Sequence, residues 1–298
     1  MIEDSFLQDL IEKPEDISEL GFNEISDILE HAKSIFNEEE LLLNLSQETN
    51  EEAYVIGDIH GNLESLMKIY ALIEKNDPRH VIFLGDIVDR GQFQIECLLI
   101  VLALKILHPE QYYLLRGNHE TVQMNKSYGF YDVFMREFAN SNRFIEITQL
   151  YDTIPICAIL NDSILCLHGG IPQNFDFLSK LKELGLKKVG RDVPAFVDKG
   201  MYHIFWNDPK EGLTGFADSY RGPGIKFYGQ DVFEDFMEQN GLDYLIRSHE
   251  CFPEGYRWYF DGKLLSIFSA ENYRGGSMPN PGTIAIVKEN NVISQILS

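Results

Sequence analysis

The chain predicts an α/β fold built on mixed β-sheet, with polar side chains delivered at the ends of strands. Three observations carry the prediction. Helical patterns at Glu64 to Lys75 and Ile95 to Leu107 each follow a short apolar run, which is the rhythm of βαβ units. From Ile154 onward the chain turns hairpin-rich: Asn161-Asp162 separates two apolar runs, and Asn290-Asn291 separates Gly282 to Lys288 from Val292 to Leu297. Finally, five apolar runs spaced along the chain each lead directly into Asp, Asn or His flanked by small residues.

Residues 1 to about 50 carry no such segment. Ile25, Ile28, Leu29, Ala32 and Phe36 recur at helical spacing, with Asn23 as the candidate N-cap. Asn37 followed by Glu40 predicts a second cap, opening a helix through Leu41 to Leu45. Ala53 to Ile56 then reads as a short buried strand, bounded by charge before it and Gly57 after it. Asp58 and His60 follow at i and i+2, which places two side chains on one side if the segment stays extended. The pattern repeats at His80 to Leu84 before Asp86, Asp89 and Arg90, and at Gln111 to Leu115 before Asn118 and His119. It returns at Ser163 to Leu167 before His168 and at Leu242 to Ile246 before His249. Polar residues gathered at strand ends are how open α/β sheets build sites.

Singly, each segment is an ordinary turn; five in order are not coincidence. They bring together three aspartates, four histidines and one asparagine. Hard oxygen donors mixed with imidazole suit a pair of first-row transition ions better than a closed structural zinc site. Two such ions held about 3.5–4 Å apart form a clamp for phosphate-ester hydrolysis. His31, His80, His108 and His203 lie outside these segments and are read as surface or core histidines.

The ordered set resembles the catalytic core of the PPP family of serine/threonine protein phosphatases, within the calcineurin-like metallophosphoesterases. The likeness runs from about Leu41 to the C-terminal strand and includes Tyr128 to Asp132, Ile204 to Pro209, Tyr220-Arg-Gly-Pro-Gly224 and Ser269-Ala-Glu-Asn-Tyr273. The resemblance implies two mixed β-sheets packed as a central β-sandwich flanked by α-helices, with a di-metal site at strand-end loops. It implies one catalytic domain over residues 1–298, with the helices of residues 1–50 packed on the core. Asp58 and His60 would bind the first metal, Asp86 would bridge both, and Asn118, His168 and His249 would complete the second. A metal-bridging water or hydroxide would attack phosphorus in line, without a phosphoenzyme. His119 would be the general acid and Asp89 the carboxylate that orients it. Arg90, Arg221, Asn118 and Tyr273 would contact the substrate phosphate or cover it. Arg116 is expected to be structural. Manganese is the expected ion, with iron and zinc as the alternative pair.

Composition narrows the partners. With 44% hydrophobic and 12% aromatic residues the chain can bury a sizeable core. Its net charge of −22 and lack of a basic cluster exclude a general nucleic-acid binder. The charge also suggests phosphosites flanked by basic residues. The longest apolar stretch, Cys97 to Leu107, contains Lys105 and is too short to span a bilayer. The acidic start lacks the basic region of a signal peptide, so a soluble cytoplasmic protein is expected. Cys97, Cys157, Cys166 and Cys251 form no Cys-x-x-Cys pair and read as small buried hydrophobes. Phosphoproteins are the expected substrates, and any regulatory subunits are not encoded in this chain.

Three departures from the resembled pattern bear on substrate preference. Glu271 stands where many members have proline, Arg274 where many have cysteine, and the loop from Arg274 to Pro281 is short. No appended regulatory tail is expected after the last strand. The rival readings are a phosphatase for nucleotides or other small phosphoesters, which needs the same metal shell, and a catalytically dead phosphoprotein scaffold. The scaffold is disfavoured because all six ligands, His119 and both arginines are present.

Overall fold

A computed structural model describes residues 2–139, 142–187, 194–275 and 279–297. Helices α1 (Asp4–Glu12) and α2 (Phe22–Phe36) open the chain, joined through a 3-10 turn at Pro14–Glu19. Strands β1 (Leu42–Leu45) and β2 (Glu52–Ile56) follow, then α3 (Leu63–Asn76), β3 (His80–Phe83), α4 (Gln94–Leu107) and β4 (Tyr112–Leu114). Three helices come next, α5 (Val122–Tyr128), α6 (Phe130–Phe138) and α7 (Phe144–Tyr151), then the hairpin β5 (Cys157–Leu160) and β6 (Ile164–Leu167). After α8 (Phe177–Leu184) and α9 (Ala195–Trp206) come the short strands β7 (Asp208–Pro209), β8 (Phe216–Asp218) and β9 (Lys226–Tyr228). Helix α10 (Gln230–Asn240), β10 (Tyr244–Arg247), β11 (Tyr256–Tyr259), β12 (Leu264–Ile267), β13 (Thr283–Lys288) and β14 (Asn291–Ile296) complete the order.

The strands form two large mixed sheets, ordered β1-β5-β6-β10-β12-β11 and β14-β13-β2-β3-β4. Alternation along each strand sorts its side chains between two cores. In β2, Ala53 and Val55 face one way and Tyr54 and Ile56 the other; in β3, Ile82 separates from Val81 and Phe83 in the same manner. Ala53, Val55 and Ile82 join Ile164 and Cys166 of β6, Ile246 of β10 and Leu265 of β12 in an apolar layer between the sheets. Tyr54, Ile56, Val81 and Phe83 pack under α1 to α4, and Leu165, Leu167 and Leu245 pack under α8 to α10. This is the expected sandwich with helices on both outer faces. Each fully buried aliphatic side chain contributes about 1.5–3 kcal/mol of transfer free energy. Such an interior can hold the loops at its edge in conformations that are locally unfavourable.

Leu10 of α1 and Ile28 and Leu29 of α2 share one cluster with Leu98 and Leu102 of α4. Three local expectations are corrected. Leu41 to Leu45 is not helical: Leu42–Leu45 is the edge strand β1, paired in parallel with β5 from Leu42 opposite Cys157 to Leu45 opposite Leu160. A run this short cannot offset helix nucleation, and an open sheet edge takes it instead. The cap of α2 is Gly21, whose N–H donates to Glu24 Oε2 at 2.8 Å, and Asn23 falls inside the first turn. The last hairpin turns at Glu289-Asn290, with φ of 50° and 61°, one residue before Asn290-Asn291. A third small sheet, β7-β9-β8, was not anticipated, because strands of two or three residues leave no periodicity to read.

Candidate metal centre and phosphate cleft

All five predicted strand ends reach one place. Strands β2, β3 and β4 run parallel and adjacent, so the loops after Ile56, Phe83 and Leu114 leave the same edge of one sheet. Strands β6 and β10, parallel neighbours in the other sheet, bring His168 and His249 to the facing edge. The loops interlock: the N–H groups of Ile59 and His60 donate to Asp86 O at 3.1 and 2.9 Å, and Gly61 N–H donates to Ile87 O at 2.8 Å. The approach is close enough that Gly117 tolerates no side chain, since a Cβ there would lie 2.3 Å from Asp86 Oδ1.

Asp58 and His60 do meet, but not by staying extended as the i, i+2 spacing suggests. His60 has φ 47°, and Asp86, Asp89, Arg90 and His249 also sit at positive φ, between 54° and 73°. For a non-glycine residue that conformation costs roughly 1–2 kcal/mol. Strain of this kind gathers where side chains must point somewhere specific.

Backbone carbonyls fix the imidazoles. His60 Nδ1–H donates to Val88 O at 2.9 Å and His168 Nδ1–H donates to Leu84 O at 3.0 Å, so in the neutral rings each Nε2 carries the lone pair. His168 Nε2 then lies 2.8 Å from Asn118 Oδ1, 3.1 Å from His249 Nδ1 and 3.3 Å from Asp86 Oδ2. His60 Nε2 is 3.6 Å from both Asp58 Oδ2 and Asp86 Oδ2. Lone-pair donors and carboxylates crowded at these distances repel unless positive charge, a metal ion or a proton on an imidazole, sits among them. Ligand atoms of Asp86, His168 and His249 lie within 4.8 Å of one another, as do those of His60, Asp86 and His119, with Asp86 common to both groups. Asp58 lies outside both of these tightest groups, although it touches His60 and accepts from His249 N–H at 3.0 Å. The donor set therefore fits a pair of metal ions sharing Asp86. Burial opposes the charge of Asp86, but His168, His119 and His60 outweigh it and hold the carboxyl ionised well below the usual carboxylate range.

Beside this centre stands a proton-holding pair. His119 Nδ1 is 2.7 Å from Asp89 Oδ2, both side chains buried, and His119 Nε2 points toward Asp86 Oδ2 at 4.0 Å. Burial disfavours the imidazolium, yet Asp86 and Asp89 together raise its pKa above the ordinary value. Asp89 is itself fully engaged: its oxygens also accept from Asn125 Nδ2 at 3.1 Å and Phe130 N–H at 2.9 Å.

The cleft over the centre measures about 440 Å³ and is lined by Asp58, His60, Asp86, Asn118 and His119 with Arg90, Arg221, Trp206 and Tyr273. His168 is fully buried beneath it. The Tyr273 ring stacks on His60, centroids 5.2 Å apart, and Arg90 lies 4.1 Å over Tyr128. Arg221 is aimed by Asp208 through its Nε and a second guanidinium nitrogen. Asp208 also accepts from Arg247 at 2.9 Å, which ties the small sheet to β10.

Three buried residues organise the site without having been singled out from the sequence. Glu120 accepts N–H bonds from Asp86 at 2.9 Å, Ile87 at 3.0 Å and Gly117 at 2.8 Å, and so binds two loops together. Burial, with Asp86 nearby, pushes its carboxyl up to about 7. Asn125 donates to His119 O at 2.8 Å as well as to Asp89. Arg247, fully buried, donates to Gly169 O, Glu250 and Asp208. Glu120 directly follows His119 and Arg247 stands two residues before His249, but neither position marks its residue as a support. Arg116 donates to Glu120 O and Asp152 and does not line the cleft. Glu271 is held by Lys68 at 2.6 Å. Positions 276–278 of the short Arg274 to Pro281 loop lie outside the described residues.

Residues 53–253 match the calcineurin-like phosphoesterases, and the chain belongs to that family of metal-dependent phosphoesterases. Its fold is similar over 100% of its length to 96% of a protein serine/threonine phosphatase from Saccharomyces cerevisiae with similarity to human phosphatase PP5, at TM-score 0.85 and 28% identity. It is also similar, over 88% of this chain and 84% of the other, to a cold-active protein-tyrosine phosphatase of the psychrophile Shewanella sp., at TM-score 0.59 and 16% identity, a likeness of fold alone. No helix among the described residues is long and apolar enough to cross a membrane.

Proposed function

We propose that this chain hydrolyses phosphoserine and phosphothreonine in proteins, in one metal-dependent displacement. The observation that carries the reading is the convergence of lone-pair donors on Asp86 beside the His119–Asp89 pair. Asp58, His60 and Asp86 would hold one ion, and Asp86, Asn118, His168 and His249 the other. Bound there, the ions supply a water activated near neutral pH and neutralise charge developing on the phosphoryl oxygens. Manganese, or iron with zinc, suits this mixed oxygen and imidazole set.

Arg90 and Arg221 orient the phosphate, since a planar guanidinium matches two of its oxygens. Asn118 borders the same phosphate position, and Tyr273 closes over it. A seryl or threonyl alkoxide leaves poorly and needs a proton. His119 carries one, held by Asp89 on Nδ1 and presented from Nε2. Ligands drawn from both sheets, and N-terminal helices sharing one core with α4, support reading residues 1–298 as one catalytic domain. The yeast likeness supports protein substrates.

Substrate class is tested by comparing kcat/KM on a phosphothreonine peptide with that on nucleoside phosphates and dinucleoside polyphosphates. The peptide is expected to be preferred by at least about tenfold, or roughly 1.4 kcal/mol of transition-state binding. A preference for the nucleotides would replace this reading with the small-phosphoester one.

A further inference from the structure

Arginine is unevenly placed in this chain. Four of its ten arginines, Arg90, Arg221, Arg257 and Arg274, line the catalytic cleft, and none of the described lysines does. Arg90 and Arg221 serve the phosphate being removed; Arg257 and Arg274 have no part in that account. Arg257 projects from β11 with its guanidinium packed 4.4 Å from the Phe252 ring centroid. Its acidic neighbour is the exposed Glu254, 3.9 Å away, a weak pairing in water. Arg274 follows Tyr273, is exposed, and lines the cleft together with Cys251. Cys251, Phe252 and Pro253 form the cleft wall that both arginines share.

The carboxylates around this wall are already engaged. Glu250 is paired with buried Arg247 at 2.7 Å, Asp208 with Arg221 and Arg247, and Glu271 with Lys68. In a chain of net charge −22, two exposed guanidinium groups at the mouth of a phosphate cleft create a local field opposite to the overall one. Over a Debye length of about 8–10 Å the lining side chains, not the total charge, determine what a substrate meets.

We propose that Arg257 and Arg274 form a second anion-recognising patch, which selects phosphorylated segments carrying another negative group beside the phosphate to be removed. The chemistry is shared by a carboxylate side chain and a second phosphate, and a guanidinium fork accepts either. The inference rests on the phosphoprotein reading above. It reverses the basic flanks that net charge alone suggests.

The test uses the full chain with manganese and four phosphothreonine peptides whose flanks are neutral, aspartate-rich, doubly phosphorylated or lysine-rich. The wild type is expected to favour one or both acidic peptides over the neutral one by roughly fivefold to tenfold, mainly through KM, from two exposed charge contacts. The advantage should shrink as salt rises. Whichever acidic peptide gains more identifies carboxylate or phosphate as the group recognised. In Arg257→Gln/Arg274→Gln the ratio of acidic to neutral kcat/KM should fall to about one. In Arg257→Glu/Arg274→Glu the lysine-rich peptide should become the preferred one. A purely structural role would lower all four peptides together and leave the ratio intact, which overturns the proposal, as does equal use of all four by the wild type. Hydrolysis of none of the peptides, with nucleotides cleaved instead, would refute the phosphoprotein reading itself and this inference with it.

Discussion

Asp86→Ala should empty the metal centre and abolish turnover together. Asp86 is the one carboxylate common to both tight donor groups, and its Oδ1 also accepts the His119 N–H at 2.8 Å. Removing it leaves His168 Nε2 and His249 Nδ1 without the anion that makes a cation favourable between them. Loss of a residue that merely orients a metal ligand costs about 10–100-fold in affinity or activity. Loss of a shared ligand should exceed that range. Elemental analysis of the purified variant should find clearly fewer than two ions per chain, with phosphate release below about a hundredth of wild type. Asp86→Asn keeps the shape and the acceptor for His119, and so separates lost charge from a disturbed loop. Two ions retained in both variants would refute the bridging role.

His119→Asn should retain metal and lose rate. The expected fall in kcat is roughly 10²–10⁴, the usual contribution of a general acid, or about 3–5 kcal/mol of barrier. The loss should depend on the leaving group. A seryl alkoxide needs the proton, whereas a nitrophenolate leaves with little help, so an aryl phosphate should be much less impaired than a phosphothreonine peptide. Asp89→Asn removes the anion held 2.7 Å from Nδ1 and should move in the same direction by a smaller factor. An unchanged kcat on the peptide, or equal losses on both substrates, would take His119 out of the proton-donating role.

The parts of this molecule legible in the sequence are those where local pattern and tertiary demand coincide. The runs Ala53 to Ile56 and His80 to Leu84 are apolar on both faces because their strands separate two cores, and that shows as unbroken hydrophobicity. The Asn161-Asp162 turn is legible because φ of 51° and 58° favours those residue types. Leu41 to Leu45 was not legible: leucine favours helix, and only the vacant edge beside β5 makes the run a strand. Within the site, the residues facing the cleft announce themselves by chemical type. Their supports, Glu120, Asn125 and Arg247, act through partners distant in sequence. Glu120 binds Asp86, 34 residues away, and Arg247 binds Gly169, 78 residues away. Side chains whose task is to hold backbone leave no spacing rule to find them by. The positive φ of His60, Asp86, Asp89, Arg90 and His249 was equally hidden, since the loops are held there by packing against one another.

The central claim is that the donors converging on Asp86 form a working two-metal phosphatase centre. The most direct test is phosphate release from a phosphothreonine peptide after exhaustive chelation and again after manganese is restored, with bound metal counted at both stages. The account predicts negligible release from the stripped protein, and recovery that rises with metal content toward two ions per chain. Full activity in the metal-free protein, or two ions restored with no release from the peptide or from any small phosphoester, would contradict it.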